Sequence, residues 1–433
     1  MGETPTRETI EAVWRIESAR LLGGLVRVVR DLSLAEDLAQ EALLTALERW
    51  PHTGVPNNPG AWLMATAKNR AIDQLRRRRM LDRTHGSIQS DAASGTSTGR
   101  PEIEMDIDED VDDDLLRLVL IACHPVLSKE ARVALTLRLL GGLTTDEIAR
   151  AFLVPETTIA QRIVRAKRTL AEARVPFEIP RGEDLADRLP SVFEVIYLIF
   201  NEGYAATRGE DWMRMELCEE ALRLGRILAE RVPDNAEVHG LVALMELHSS
   251  RARARIGPSG EPILLLDQDR SRWDQLLVHR GLAALVRAEA LASPLGPYAL
   301  QAAIAACHAQ ARTADETDWK RIVALYDALV QTTQSPLVEL NRAVAVSMAF
   351  GPAAALELID ALIDEPALRQ YHLLPSVRGD LLSKLGRVDE AHKEFGRAAA
   401  MAQNVREREL LLARAKACAG ETGAAQVLPM SPE

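Results

Sequence analysis

Apolar residues recur at helical spacing along most of the chain. Between residues 14 and 50 they fall at Leu21, Leu22, Leu25, Val28 and Val29, then at Leu38, Ala42, Leu43, Ala46 and Leu47, the rhythm of helices with one buried face. Two helices are predicted to meet near residues 31–33, with Ser33 three residues ahead of Glu36 as a capping box for the second. A proline-bounded break at 51–59 precedes a third predicted helix over 60–80, which ends in Arg76, Arg77, Arg78 and Arg79. Periodicity is lost over 81–114, returns over 115–173, and pauses at the prolines of 175–180. A long helical stretch follows. Near its end, Leu385, Gly386, Ala391, Phe395 and Ala398 have the small-residue and aromatic spacing of a tetratricopeptide helix pair, with an echo at Gly351, Ala355 and Ile359. A plain helical bundle is the alternative. Residues 252–268 interrupt the helices, with a small hairpin expected around 257–260.

Composition turns this pattern into a fold class. Aromatics are only 4% of 433 residues and β-branched runs are short, so the expectation is an all-α chain of two or three domains. The net charge of −11 would ordinarily argue against nucleic acid. Its distribution reverses that: residues 101–114 hold nine acids and no base, whereas residues 115–180 hold ten bases against six acids. The acid-rich, Ser/Thr/Gly-rich stretch 81–114 reads as a flexible linker. Cys123, Cys218, Cys307 and Cys418 are far apart in sequence and suit a reducing compartment, with no metal expected. The absence of an apolar leader and of a membrane-length apolar run predicts a cytoplasmic protein with no membrane association.

Residues 143–170 carry the strongest chemical signal. A Thr cap opens a short helix with Ile148, Ala149 and Phe152 inward, and Pro155 suits the first position of a second helix with Ile159, Ile163, Ala166 and Leu170 inward. The opposite face presents Thr157, Thr158, Gln161, Arg162, Arg165 and Arg168. Arg and Gln can bond guanine and adenine edges, and Thr a phosphate or a thymine methyl, so the pair reads as a DNA-binding helix-turn-helix. The bland reading is a structural helix pair with a solvated basic edge. On the 60–80 helix, Trp62, Thr66, Asn69, Arg70, Asp73, Arg76 and Arg77 share one face. That face suits a backbone and unpaired bases, although a helix ending in four Arg is more often simply solvated.

These segments resemble the extracytoplasmic-function σ factors over residues 10–175. Residues 37–43 look like the family's core-polymerase-binding segment, Pro59 to Leu63 with Ala67 to Arg76 like its downstream promoter reader, and residues 144–170 like its upstream reader. The resemblance implies core RNA polymerase and promoter DNA as partners. It implies that Asp37, Gln40 and Glu41 face the polymerase clamp, that Asn69, Asp73 and Arg76 lie near the melted strand, and that Gln161, Arg162 and Arg165 enter the upstream major groove. It also implies that the acidic linker threads the polymerase cleft. The expected layout is a region 2 domain at 10–80, the linker at 81–114, a region 4 domain at 115–175 and a helical extension at 181–433.

Most σ factors of this family end before such an extension. Residues 200–207 and 265–274 resemble a subclass with a long tetratricopeptide-like tail, which implies control through that tail. Asn201, Glu202, Tyr204, Asp267, Asp269, Arg270, Arg272, Trp273 and Asp274 are a dense polar set there, either a pocket for a regulatory protein or small ligand or a buried ion-pair network, with the network favoured. No catalytic constellation, cofactor motif or metal spacing is visible, so no enzyme is expected. A free-standing helix-turn-helix regulator with a ligand-sensing tail is the runner-up, and an enzyme fused to a transcription module a distant third.

Overall fold

A computed structural model describes residues 3–86, 111–206, 213–258 and 260–419. The described residues are helical apart from turns and one isolated antiparallel bridge, Ile256 to Pro262. The chain divides into two compact units, Met1–Val195 and Ile196–Glu433.

The first unit begins with α1 (Glu3–Val29), α2 (Leu32–Thr53) and α3 (Pro59–Gly86). Their facing apolar stripes bury Leu21, Leu25 and Val26 against Leu38, Ala42 and Trp50 and against Leu63, Ala67 and Ala71. The α1–α2 corner departs from expectation. Asp31, not Ser33, caps α2, its carboxylate accepting the Leu34 N–H at 3.0 Å. Glu36 is thereby released from a capping box for another contact.

Next come α4 (Val111–Ala122), α5 (Lys129–Leu139), α6 (Thr145–Phe152) and α7 (Glu156–Glu172). The expected linker at 81–114 is shorter than its composition implied. Its first residues continue α3 to Gly86, its last begin α4, and residues 87–110 lie outside the described residues. Asp114 is not part of a solvated tract: it is buried, bonded to Arg117 and 3.4 Å from Arg27 Nε. Two guanidinia offset its desolvation, and a Cβ added to Gly23 would lie 2.6 Å from its carbonyl oxygen, so only glycine lets α1 approach so closely. The boundary expected at 181 also moves. In α8 (Glu183–Tyr204), Arg188 donates to the Leu120 carbonyl, Ser191 to the Cys123 carbonyl, and Glu194 pairs with Arg132 and Lys129, so residues up to Val195 belong to the first unit.

The second unit holds α9 (Met215–Arg231), α10 (Ala236–Ser250), α11 (Gln275–Leu291), α12 (Pro297–Gln310), α13 (Trp319–Thr333), α14 (Pro336–Phe350), α15 (Pro352–Ala361), α16 (Leu373–Lys384), α17 (Val388–Met401) and α18 (Val405–Cys418). Consecutive helices pack on one another along this series, as in helical-repeat arrays. Gly386 turns the chain with a φ of 75°, and Ala391, Phe395 and Ala398 are fully buried, as their spacing predicts. The interruption after α10 contains three 3-10 turns (Ala252–Ala254, Leu265–Asp267, Arg270–Arg272) and the expected tight loop, closed by the single bridge.

At Gly240, α10 passes close to the backbone of α12. A Cβ there would sit 2.5 Å from the Ala299 nitrogen and 2.7 Å from its Cα, and backbone cannot swing aside as a side chain can. Gly240→Ala is expected to destabilise the protein by about 1–3 kcal/mol through overpacking, measurable by urea unfolding; unchanged stability would show that α10 and α12 separate without cost.

Candidate nucleic-acid interface

The helix-turn-helix is assembled by local bonds. Thr144 and Glu147 form a reciprocal capping box, the Thr144 N–H donating to Glu147 Oε2 at 2.7 Å and the Glu147 N–H to Thr144 Oγ1 at 3.2 Å. Leu153, in the left-handed region at φ 50°, ends α6. Pro155 occupies the N-cap of α7, one position earlier than its preference for the first turn suggests. Ile148, Ala149, Ile159, Ile163, Ala166 and Leu170 are buried, whereas Phe152 is only half-buried.

On the outer face of α7, Thr157, Gln161, Arg165 and Arg168 are exposed, and Thr158 and Arg162 are half-buried. The Glu130 carboxyl is held below its ordinary range by its own backbone amide and Ser128, with the Arg162 charge adding to them. Arg168 is engaged by Glu172 at 2.6 Å. Val164 is 65% exposed among these groups. An apolar residue on the polar face was a signal available in the sequence, and reading by polarity alone passes over it.

On α3, Asn69, Asp73, Arg76 and Arg77 are exposed, with Arg76 4.0 Å from Asp73. Trp62 is half-buried, its ring edge-on to Trp50 at 5.3 Å between centroids. On α2, Asp37, Gln40 and Glu41 are exposed. Glu41 bonds Arg70 at 2.9 Å, and Leu44 beside it is 58% exposed, a second apolar residue on a polar face. The two sets of residues are tied within the first unit: Glu36, buried on α2, pairs with Lys167 of α7 and lies 4.0 Å from Arg138 of α5.

The polar set of the second unit does not converge on one cavity. Glu202 pairs with Arg214, and Tyr204 is buried, stacked on Phe200 at 5.6 Å between centroids, beneath the Arg255 guanidinium at 3.6 Å. Arg270 donates to the carbonyls of His308 at 2.6 Å and Ala311 at 2.8 Å. Asn201 is half-buried, Asp267 and Asp269 are exposed, and Asp269 caps the turn Arg270–Arg272. A cavity of about 750 Å³ nearby is walled by Arg253, Arg272, Trp273 and Asp274 among others, so of the nine residues of the polar set Arg272, Trp273 and Asp274 line it and the other six do not. Burial, helped by Arg251 and Arg270, lowers His308 to about 3, and burial with Arg251, Arg255 and His308 keeps His248 neutral well below its usual range. Cys123, Cys218 and Cys307 are buried and free, with the Cys123 thiol pushed up to about 11 by burial. Among the described residues no group of His, Cys, Asp or Glu could hold a metal, and no helix is long and apolar enough to cross a membrane.

Comparison with known proteins matches three family models: Sigma-70 region 2 over residues 16–80, Sigma-70 region 4 over 117–170, and a family of unknown function (DUF6596) over 188–289. An uncharacterized protein of Rhizobium meliloti, R00370, is 43% identical over 387 residues, covering 89% of this chain and 90% of that protein. The probable ECF RNA polymerase sigma factor SigI of Mycobacterium tuberculosis is 28% identical over 39% of this chain and 56% of its own length. The RNA polymerase sigma-H factor of Pseudomonas aeruginosa is 29% identical over 36% of this chain and 81% of its own length. No solved structure matches. With both σ regions in order on exposed-faced helices, and a relative alike through the tail as well, the chain belongs to the extracytoplasmic-function RNA polymerase σ factors, in a group that carries a C-terminal helical extension.

Proposed function

We propose that this σ factor reads its promoter with two separate faces. Thr157, Gln161, Val164 and Arg165 of α7, flanked by Thr158 and Arg162, would contact the upstream element. Asn69, Asp73, Arg76 and Arg77 of α3, with the half-buried Trp62, would lie along the downstream element, and Asp37, Gln40 and Glu41 of α2 would meet core polymerase. The carrying observation is the capped α6, the tight turn at Leu153 and the row of exposed side chains on α7, which suit a major groove. Val164 adds an apolar contact suited to a thymine methyl. The extension would act as a regulatory domain, responding to a protein or small ligand. On this reading the chain is a non-catalytic subunit acting in the cytoplasm.

Run-off transcription with the full chain, core polymerase and a promoter library tests the reading. Initiation at a defined subset of promoters is expected; failure at every promoter, with DNA binding retained, would leave a free-standing regulator. Arg165→Ala should weaken promoter binding by about 1–3 kcal/mol and relax base preference at one upstream position. An unaltered preference would remove Arg165 from base reading.

A further inference from the structure

Arginines in the second unit are generally matched by acids. Arg226 and Arg280 share the buried Glu246, Arg342 pairs with Asp327, Arg378 with Asp360 and Glu394, and Arg414 with Asp380. The segment between α10 and α11 breaks this rule. Arg251, Arg253, Arg270 and Arg272 crowd into two short turns, and among the described residues none has a carboxylate within salt-bridge range. Arg251 is 5% exposed and bonds the neutral Tyr204 hydroxyl, while Arg270 bonds carbonyls and the Thr317 hydroxyl. Both guanidinia lie against the Trp273 ring, 5.8 and 5.1 Å from its centroid. Positive charge thus gathers without a direct ion pair, with Asp269 and Glu316 acting on Arg272 and Arg270 only from beyond salt-bridge range.

The cavity opens on this cluster. Arg253 and Arg272 are exposed on its wall, Arg251 and Arg270 stand behind Trp273, and the buried Trp273 indole N–H has no acceptor. Asp274 is the acid on the wall, and its Oδ1 is committed to the N–H groups of Leu276 and Leu277. On the wall itself two guanidinia, Arg253 and Arg272, face one carboxylate, Asp274, and the forked N–H donors of guanidinium pair bidentately with phosphate oxygens. About 750 Å³ is room for an organic molecule rather than for a bare ion.

We propose that the second unit binds a phosphorylated small molecule of nucleotide size in the cavity walled by Arg253, Arg272 and Trp273. The site supplies a ligand class for the regulatory role proposed above and rests on that role only for its effect on transcription. Binding itself is separate.

The full chain is titrated calorimetrically with ADP and with pyrophosphate, and with citrate as a polycarboxylate of similar charge. ADP and pyrophosphate should bind one per chain, and Arg253→Glu and Arg272→Glu should each weaken binding by about ten-fold or more. Arg272→Lys, which keeps the charge but not the fork, should weaken it less. Because both positions are exposed, the unliganded melting temperature should not move. No binding of either phosphate probe, binding indifferent to both reversals, or citrate binding as tightly as pyrophosphate would each overturn the proposal. If ADP binds at this site yet leaves run-off transcription unchanged, the site stands and the regulatory reading falls.

Discussion

Placing arginine at both Asp37 and Gln40 is expected to abolish co-purification with core polymerase while leaving the chain folded. Both side chains are exposed on α2 while Leu38 and Ala42 of the same helix are buried, so the substitutions change a surface and not a core. They lie two turns and one turn before Leu44 on the same face of α2, and its 58% exposure amid polar neighbours is the kind of apolar anchor that interfaces cover. Two added positive charges beside such an anchor must be desolvated as water is expelled, and an effect of about 30-fold or more on affinity is the expected scale. Glu41 is a poorer probe because its loss would also release Arg70. The measurement is capture of polymerase by tagged Asp37→Arg/Gln40→Arg protein, with a melting curve as the folding control. Undiminished capture by a folded variant would retire the assignment of this face.

Acidification should unfold the second unit well before ordinary carboxylate titration would. The His308 ring is 5% exposed and edge-on to Trp319 at 5.1 Å, and burial with Arg251 and Arg270 lowers it to about 3 from the ordinary 6.5; His248 is lowered in the same sense. A depressed histidine is neutral in the folded chain and protonated in the unfolded one throughout that window. The unfolded state therefore binds more protons, and stability is lost as pH falls below about 6.5. Each histidine contributes a slope approaching about 1.4 kcal/mol per pH unit. Urea unfolding at pH 7.5, 6.5 and 5.5 should show this decline, and His308→Gln should flatten it by about half of the two-histidine slope. An identical slope in the variant would mean that His308 is protonated in the folded state.

Much of the DNA-facing half was legible in the sequence because its determinants are local. The Thr144 cap, the inward set of α7 and the exposure of Gln161 and Arg165 all follow from which residues lie within a turn or two of each other. Local reading failed where two local partners competed. Ser33 with Glu36 and Asp31 with Leu34 are equally good caps on paper; the chain uses Asp31, and Glu36 is held instead by Lys167 and Arg138. Reading helix faces by polarity alone hid Val164 and Leu44, two apolar side chains left largely exposed. In the extension, the expected polar set was only partly a neighbourhood in space: Glu202 and Arg270 are engaged inside the fold, while Arg272, Trp273 and Asp274 wall the cavity together with Arg253, which lay outside that set.

The sequence by itself determined that the chain is all-helical, where most helices start and stop, and that two σ regions precede a long helical tail. Periodicity, caps and breakers act over a few residues, so composition and order suffice to specify them. Only the tertiary structure decided which charges are matched. Asp114 left a tract that composition marks as solvated and became buried between Arg27 and Arg117, whereas Arg251, Arg253, Arg270 and Arg272 gathered without a direct ion pair among the described residues. The free energy of a buried charge depends on neighbours brought in from distant parts of the chain and on the water they exclude, and neither quantity is written in local spacing.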